Sequence, residues 1–145
     1  MKTTKGKILM AASQYDFKIE QGSSFKLQLI YKDSNSNPIN LSGYCARLSW
    51  NTNLNAAQSF STENTDYSTY KFQIDSPTTD GKLTFFLPAS TTNGFNFSSA
   101  KYDLELQTPS DLYSGGGKEI LRILYGNINL TKRYSKSTTL LSCSG

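Results

Sequence analysis

Asp103 and Glu105 stand two residues apart in the segment Lys101 to Thr108, KYDLELQT. If that segment is extended, both carboxyl groups share one face, with backbones roughly 7 Å apart over two strand rises. Glycosidases use two carboxyl groups at about that separation, but hold them facing each other across a cleft. Alternate acids along one strand face water instead. The spacing predicts a solvated face and no hydrolysis.

Other routes to chemistry are narrower still. The chain has no histidine, which removes the usual base near neutral pH and the commonest transition-metal ligand. Ser-His-Asp and Cys-His nucleophile systems go with it. Cys45 and Cys143 cannot complete a standard zinc site by themselves, and two cysteines do not make a disulfide framework. Cys45 lies inside a strand pattern and reads as a small half-buried residue. The run Asp33-Ser-Asn35-Ser-Asn37 looks like the start of a calcium loop. Pro38, however, stands where that loop needs glycine, and Tyr44 where it needs a bidentate glutamate. A turn capped by side chains is expected there. GGGK at Gly115 to Lys118 lacks the upstream glycine and the following Ser or Thr of a phosphate loop. No catalytic residue, cofactor or metal ligand is expected.

Charge narrows the partners. The chain carries 15 Lys and Arg against 11 Asp and Glu, a net +4, and its pI is about 9.0. Nucleic-acid binding needs basic residues gathered on one face, because affinity scales with the phosphates neutralised together. Here they are spread along the chain, concentrated only at Lys2, Lys5, Lys7 and at Lys132, Arg133, Lys136. Solubility and basic ends are the expectation, with no nucleic acid. No stretch approaches the roughly twenty apolar residues of a bilayer span, so no membrane partner is expected. Ile8 to Ala12 is shorter than the core of a secretory signal.

The elements that must position these residues are strands. At 145 residues the chain is long enough for one domain with a real core. The segment Gln21 to Trp50 organises it. Phe25, Leu27, Leu29 and Tyr31 alternate with Lys26, Gln28 and Lys32, then DSNSNPIN intervenes, then Tyr44, Ala46, Leu48 and Trp50 resume the alternation. These two strands, joined by a turn and the apolar step Ile39–Leu41, read as one unit.

Further strands follow the same logic: Tyr15 to Ile19, Tyr67 to Ile74, Lys82 to Leu87, Lys101 to Thr108 and Glu119 to Thr131. The last has a phase break, since Leu121, Ile123 and Tyr125 are in step while Ile128 and Leu130 are in step with Leu124. One extra residue near Gly126, a β-bulge, would reconcile them. Pro88 to Gly94 predicts a helical turn, and Asn51 to Thr65 is the longest loop, with Phe60 its one aromatic. About seven antiparallel strands, each with one apolar face, predict an all-β, immunoglobulin-like β-sandwich, with a closed barrel as the alternative.

The domain is expected over residues 14–132, between a basic N-terminal arm (1–13) and a polar C-terminal tail (133–145). The candidate contact residues are Lys5, Lys7, Ile8 and Leu9 on the arm, Phe60 in the long loop, and Lys132 and Arg133 where the tail begins.

The run from Gln21 to Trp50 resembles a recurrent opening of small phage virion proteins. In these, a Gly-x-x-Phe strand leads through Asp-x-x-x-x-Pro-Ile to Leu-x-Gly-Tyr and a strand ending near a basic residue. Gly22, Phe25, Asp33, Pro38, Ile39, Leu41, Gly43, Tyr44 and Arg47 occupy those places. GKLTFFLPAS, KYDLEL and ILYGNINL are similar to the later strands, so the likeness spans Tyr15 to Thr131. It resembles the N-terminal domain of phage upper baseplate proteins and similar tail or fibre-attachment proteins. That resemblance implies a sandwich that holds virion parts together in the tail, baseplate or fibre-attachment region. The implied partners are other virion proteins, in a homo- or hetero-oligomer assembled in the host cytoplasm. Unlike in those proteins, no coiled-coil stem or receptor-binding domain is expected after the sandwich. A capsid decoration or cement protein is the alternative. A carbohydrate-binding module presenting Trp50 or Phe60 is another.

Overall fold

The computed structural model describes residues 12–109, 118–134 and 141–143. Within them lie β1 (Ser13–Gln14), β2 (Phe17–Glu20), β3 (Phe25–Ile30), β4 (Cys45–Thr52), β5 (Ala57–Ser61), β6 (Lys71–Ile74), β7 (Lys82–Leu87), the short helix α1 (Ala89–Asn93), β8 (Ser99–Gln107) and β9 (Ile120–Thr131).

Alternation builds the strands and decides what they face. On β4, Ala46, Leu48 and Trp50 are buried while Arg47 and Asn51 are exposed. On β8, Tyr102, Leu104 and Leu106 point inward, and on β7 Leu83, Phe85 and Leu87 do. Leu48 lies opposite Leu104, and Trp50 opposite Tyr102. The strands form two sheets, one in the order β9-β8-β4-β5 with β1 and β2 beside β9, the other β3-β7-β6. Their apolar faces meet in one core. A sheet of β3, β7 and β6 facing one of β9, β8 and β4, with β5 added at its edge, is the two-sheet arrangement of an immunoglobulin-like sandwich. The molecule is an immunoglobulin-like β-sandwich.

From β3 to β9 every strand pair is antiparallel. The expected first strand differs, because β1 and β2 both run parallel to β9. They bracket a kink at Tyr15–Asp16 that lies over Gly126, where a Cβ would strike the Tyr15 carbonyl. Tyr102 donates from its hydroxyl to that same carbonyl oxygen at 2.6 Å. Tyr15 N–H donates to the Tyr125 carbonyl at 2.8 Å.

Three further expectations change. The unit read from Gln21 to Trp50 is a crossover, since β3 and β4 lie in opposite sheets. Leu41, four residues before β4, is 1% exposed and belongs to the core. The Asp33 turn is side-chain capped as expected, with Asn35 and Asn37 N–H groups donating to its Oδ1. The long loop contains β5, an edge strand paired to β4. Its alternation was hidden because Phe60 is its sole buried side chain. The bulge falls at Ile123, between the pairs Glu105–Arg122 and Leu104–Leu124, and both Ile123 and Leu124 are buried. Gly126 answers a close approach instead.

Candidate functional site

The paired carboxylates lie on the outer face of the larger sheet. Glu105 sits in register with Arg47 on β4 and Arg122 on β9, and Arg47 Nη2 donates to its Oε1 at 3.2 Å. Asp103 lies between Ser49 and Tyr125. The Arg122 guanidinium rests on the Tyr125 ring, 4.9 Å from its centroid. This face forms a depression of about 660 Å³, lined by small residues (Ser49, Ser59, Ala57) and larger ones (Lys101, Arg122, Tyr125). Both carboxyls point to the same side of one sheet, with no facing wall. The arrangement supplies hydrogen bonds and paired charge to a flat partner, and lacks the opposed geometry of a two-carboxylate hydrolase.

Partial burial raises the Asp103 carboxyl above its ordinary range. Glu105 beside it acts in the same direction, and Arg122 and Arg47 offset part of the rise. A raised acid is penalised in its charged form, so that penalty is fully present above the folded-state value. It fades as pH falls through that value and is gone below the unfolded aspartate range of about 3.9. Asp103→Asn is therefore expected to be at least as stable as the parent at neutral pH, the two converging on acidification. Denaturant unfolding across pH checks this. A variant clearly less stable at neutral pH would show that the carboxylate is held by its neighbours, not strained by them.

The expected contact residues scatter. Lys5, Lys7, Ile8 and Leu9 lie outside the described residues, as does the three-glycine turn Gly115 to Gly117. Phe60 is 4% exposed and cannot act as a loop contact. β5 turns it inward, where it packs on Trp50, Tyr70 and Phe85 at 4.8–5.2 Å between centroids. Trp50 is equally buried, between Phe60, Phe95 and Phe97, so neither ring offers a sugar-stacking platform. Lys132 is exposed and donates from Nζ to the Asn96 carbonyl at 3.1 Å. Arg133 is half-buried in fold contacts. Its N–H donates to Gln21 Oε1 at 2.8 Å and its Nη1 to Asn93 Oδ1 at 2.9 Å, tying the end of β9 to the turn after β2 and to α1. Cys45 and Cys143 are both free thiols.

A second surface was not expected from the sequence. Beside β3 the two sheets part into a groove of about 1080 Å³, lined by Ser13 to Tyr15, Leu27 to Ile30, Lys32, Lys82, Leu124 and part of the Asp33 turn. Tyr15 is 49% and Ile30 39% exposed, and Leu27 and Leu29 are half-buried where a closed sandwich would cover them. The alternation of β3 was legible, but its place at a sheet edge depends on which strands pair with it. No local signal carries that.

No family model matches the chain. No curated protein matches it either. Among solved structures it is similar to the RIG-5 IG1 homodimer (TM-score 0.42, 9% identity, covering 85% of this chain and 92% of that one). It is also similar to the extracellular domain of the voltage-gated sodium channel beta4 subunit (TM-score 0.41, 10% identity, covering 96% and 100%).

Proposed function

We propose that this chain is a non-enzymatic phage virion protein that assembles in the tail, baseplate or fibre-attachment region and works by contact with neighbouring virion proteins. What supports the reading is where the residues that carry the resemblance to phage baseplate proteins lie in the fold. Gly22, at φ +84°, turns the chain from β2 into β3, and Gly43, at φ +81°, delivers it into β4. Leu41 and Ile39 pack the crossover between the sheets, and Arg47 stands on the open face of the larger sheet, bonded to Glu105. The resemblance thus runs through the positions that shape this sandwich. The open face and the groove beside β3 give such a module surfaces to be held by. The carboxylates, side by side on an open sheet, support contact over catalysis.

Ser13 belongs to β1, so the arm available for contact ends before it. Removal of residues 1–11 is expected to abolish incorporation into particles while the purified domain keeps its cooperative unfolding. Mass spectrometry of purified phage, beside denaturant unfolding of the free chain, checks both halves. Normal incorporation of the shortened chain would take the arm out of the account. Absence of even the full chain from particles would overturn the virion reading itself.

A further inference from the structure

β3 is an open edge. Among the described residues it pairs with β7 alone. The direction of its backbone groups follows from two bonds: Tyr31 N–H donates to the Gly81 carbonyl at 2.8 Å, and Asp75 N–H donates to the Lys82 carbonyl at 2.8 Å. Alternation along an antiparallel ladder then turns Phe25, Leu27 and Leu29 toward β7, and leaves the N–H and C=O groups of Lys26, Gln28 and Ile30 pointing off the sheet. An unpaired apolar edge of this kind is a template for another strand.

We propose that this edge accepts one extended strand of a partner protein, with apolar residues at alternate positions and acidic residues between them. The two faces of the added strand would meet different surroundings. Side chains opposite Leu27 and Leu29 enter the groove against Tyr15 and Leu124. Those opposite Lys26, Gln28 and Ile30 lie on the outer face, where Lys82 is the register neighbour of Ile30 and Lys32 lines the groove's end.

Charge selects the occupant. Among the described residues the ion pair is Arg47–Glu105, so Lys26, Lys32 and Lys82 face the edge without a carboxylate partner. Among the described residues, the one carboxylate lining the groove, Asp33, is engaged by the Asn35 and Asn37 N–H groups. The chain's own arm, with Lys2, Lys5 and Lys7, would bring like charge to this edge, and so would Lys26 of a second copy. An acidic, alternating strand from elsewhere is the complement. The inference names how the docking module is gripped and rests on that reading.

The test is a nuclear magnetic resonance titration of the full chain with a synthetic hexapeptide of alternating Val and Glu, beside one of alternating Val and Lys. Amide shifts are expected at Lys26 to Ile30, Ser13 to Tyr15 and Lys82, with the Val–Glu peptide about tenfold the tighter. Gln28→Pro removes an N–H that points off the edge, which an edge strand tolerates. It is expected to keep the parent's unfolding midpoint and lose the response. Lys26→Glu combined with Lys82→Glu is expected to reverse the preference between the peptides.

Several results would overturn the proposal: no response at β3 at millimolar peptide, or an equal response to both peptides. Shifts at Lys26 to Ile30 that depend on protein concentration alone would make the occupant a second copy. A response that emerges only after residues 1–11 are removed would make it the arm. Peptide binding as described, by a chain absent from purified particles, would refute the virion reading alone. Presence in particles without any peptide response would refute strand addition alone.

Discussion

Phe85→Ala is expected to cost the fold about 3–5 kcal/mol, the range for deleting a fully buried phenyl ring. Phe85 is 1% exposed and lies where the two sheets interlock. Its ring meets Phe25 at 6.4 Å, Phe60 at 5.2 Å and Phe72 at 5.4 Å between centroids, each near edge-to-face. Such pairs contribute beyond their buried area, and edge strands on either side of the core cannot collapse into the hole without leaving their partners. Since whole domains are stable by only about 5–15 kcal/mol, this one truncation should bring the chain close to unfolding at ambient temperature. Phe86, the next residue, faces outward between Lys26 and Lys71, and Phe86→Ala should cost less than about 1 kcal/mol. Urea midpoints of the two variants decide it. Equal losses would mean that β7 does not present alternate faces to core and solvent.

The second large effect is expected at Gly126→Ala. An added Cβ would meet the Tyr15 carbonyl and lie 2.7 Å from Asp16 Oδ1. The obstacle is backbone, which cannot swing aside as a flexible side chain would. Relief requires the Tyr15–Asp16 kink to lift from β9. That strains the bond from the Tyr102 hydroxyl to the Tyr15 carbonyl (2.6 Å) and the one from Asn127 N–H to Asp16 Oδ1 (2.8 Å). Overpacking together with weakening of the part-buried Tyr102 hydrogen bond puts the cost at about 2–4 kcal/mol. The damage should be local. Hydrogen exchange is expected to speed up for the amides of β2, which pairs with β9 from Phe17 to Glu20, more than for the central strands β4 and β8. Parent-like protection of β2 would show that the kink is not seated on Gly126.

Much of this architecture was legible because a two-layer fold writes itself into period two. Tyr102, Leu104 and Leu106, or Leu83, Phe85 and Leu87, face inward where the alternation placed them. α1 stops at Gly94, the expected breaker. What failed to show depends on partners distant in sequence. β5 buries only Phe60 of its five residues, so an edge strand read as a loop and a core ring as a surface one. The bulge was legible as a phase break but not in position, because Ile123 and Leu124 are both buried and either could end the first phase. Asp103 and Glu105 were readable as an outward pair, because strand parity alone decides that. The groove was not readable. It arises where β1 and β2 pair with β9 and leave β3 uncovered, a consequence of non-local pairing among strands that each look ordinary.

An image of the assembled phage particle at side-chain resolution tests the account most directly. On the proposed function, this sandwich is expected in the tail, baseplate or fibre-attachment region, with a neighbouring virion protein against the β3 edge or the open face around Ser49 and Tyr125. Density for the chain on the capsid surface would contradict the placement. A sandwich whose edge and open face both meet only solvent would contradict the claim that it works by being held.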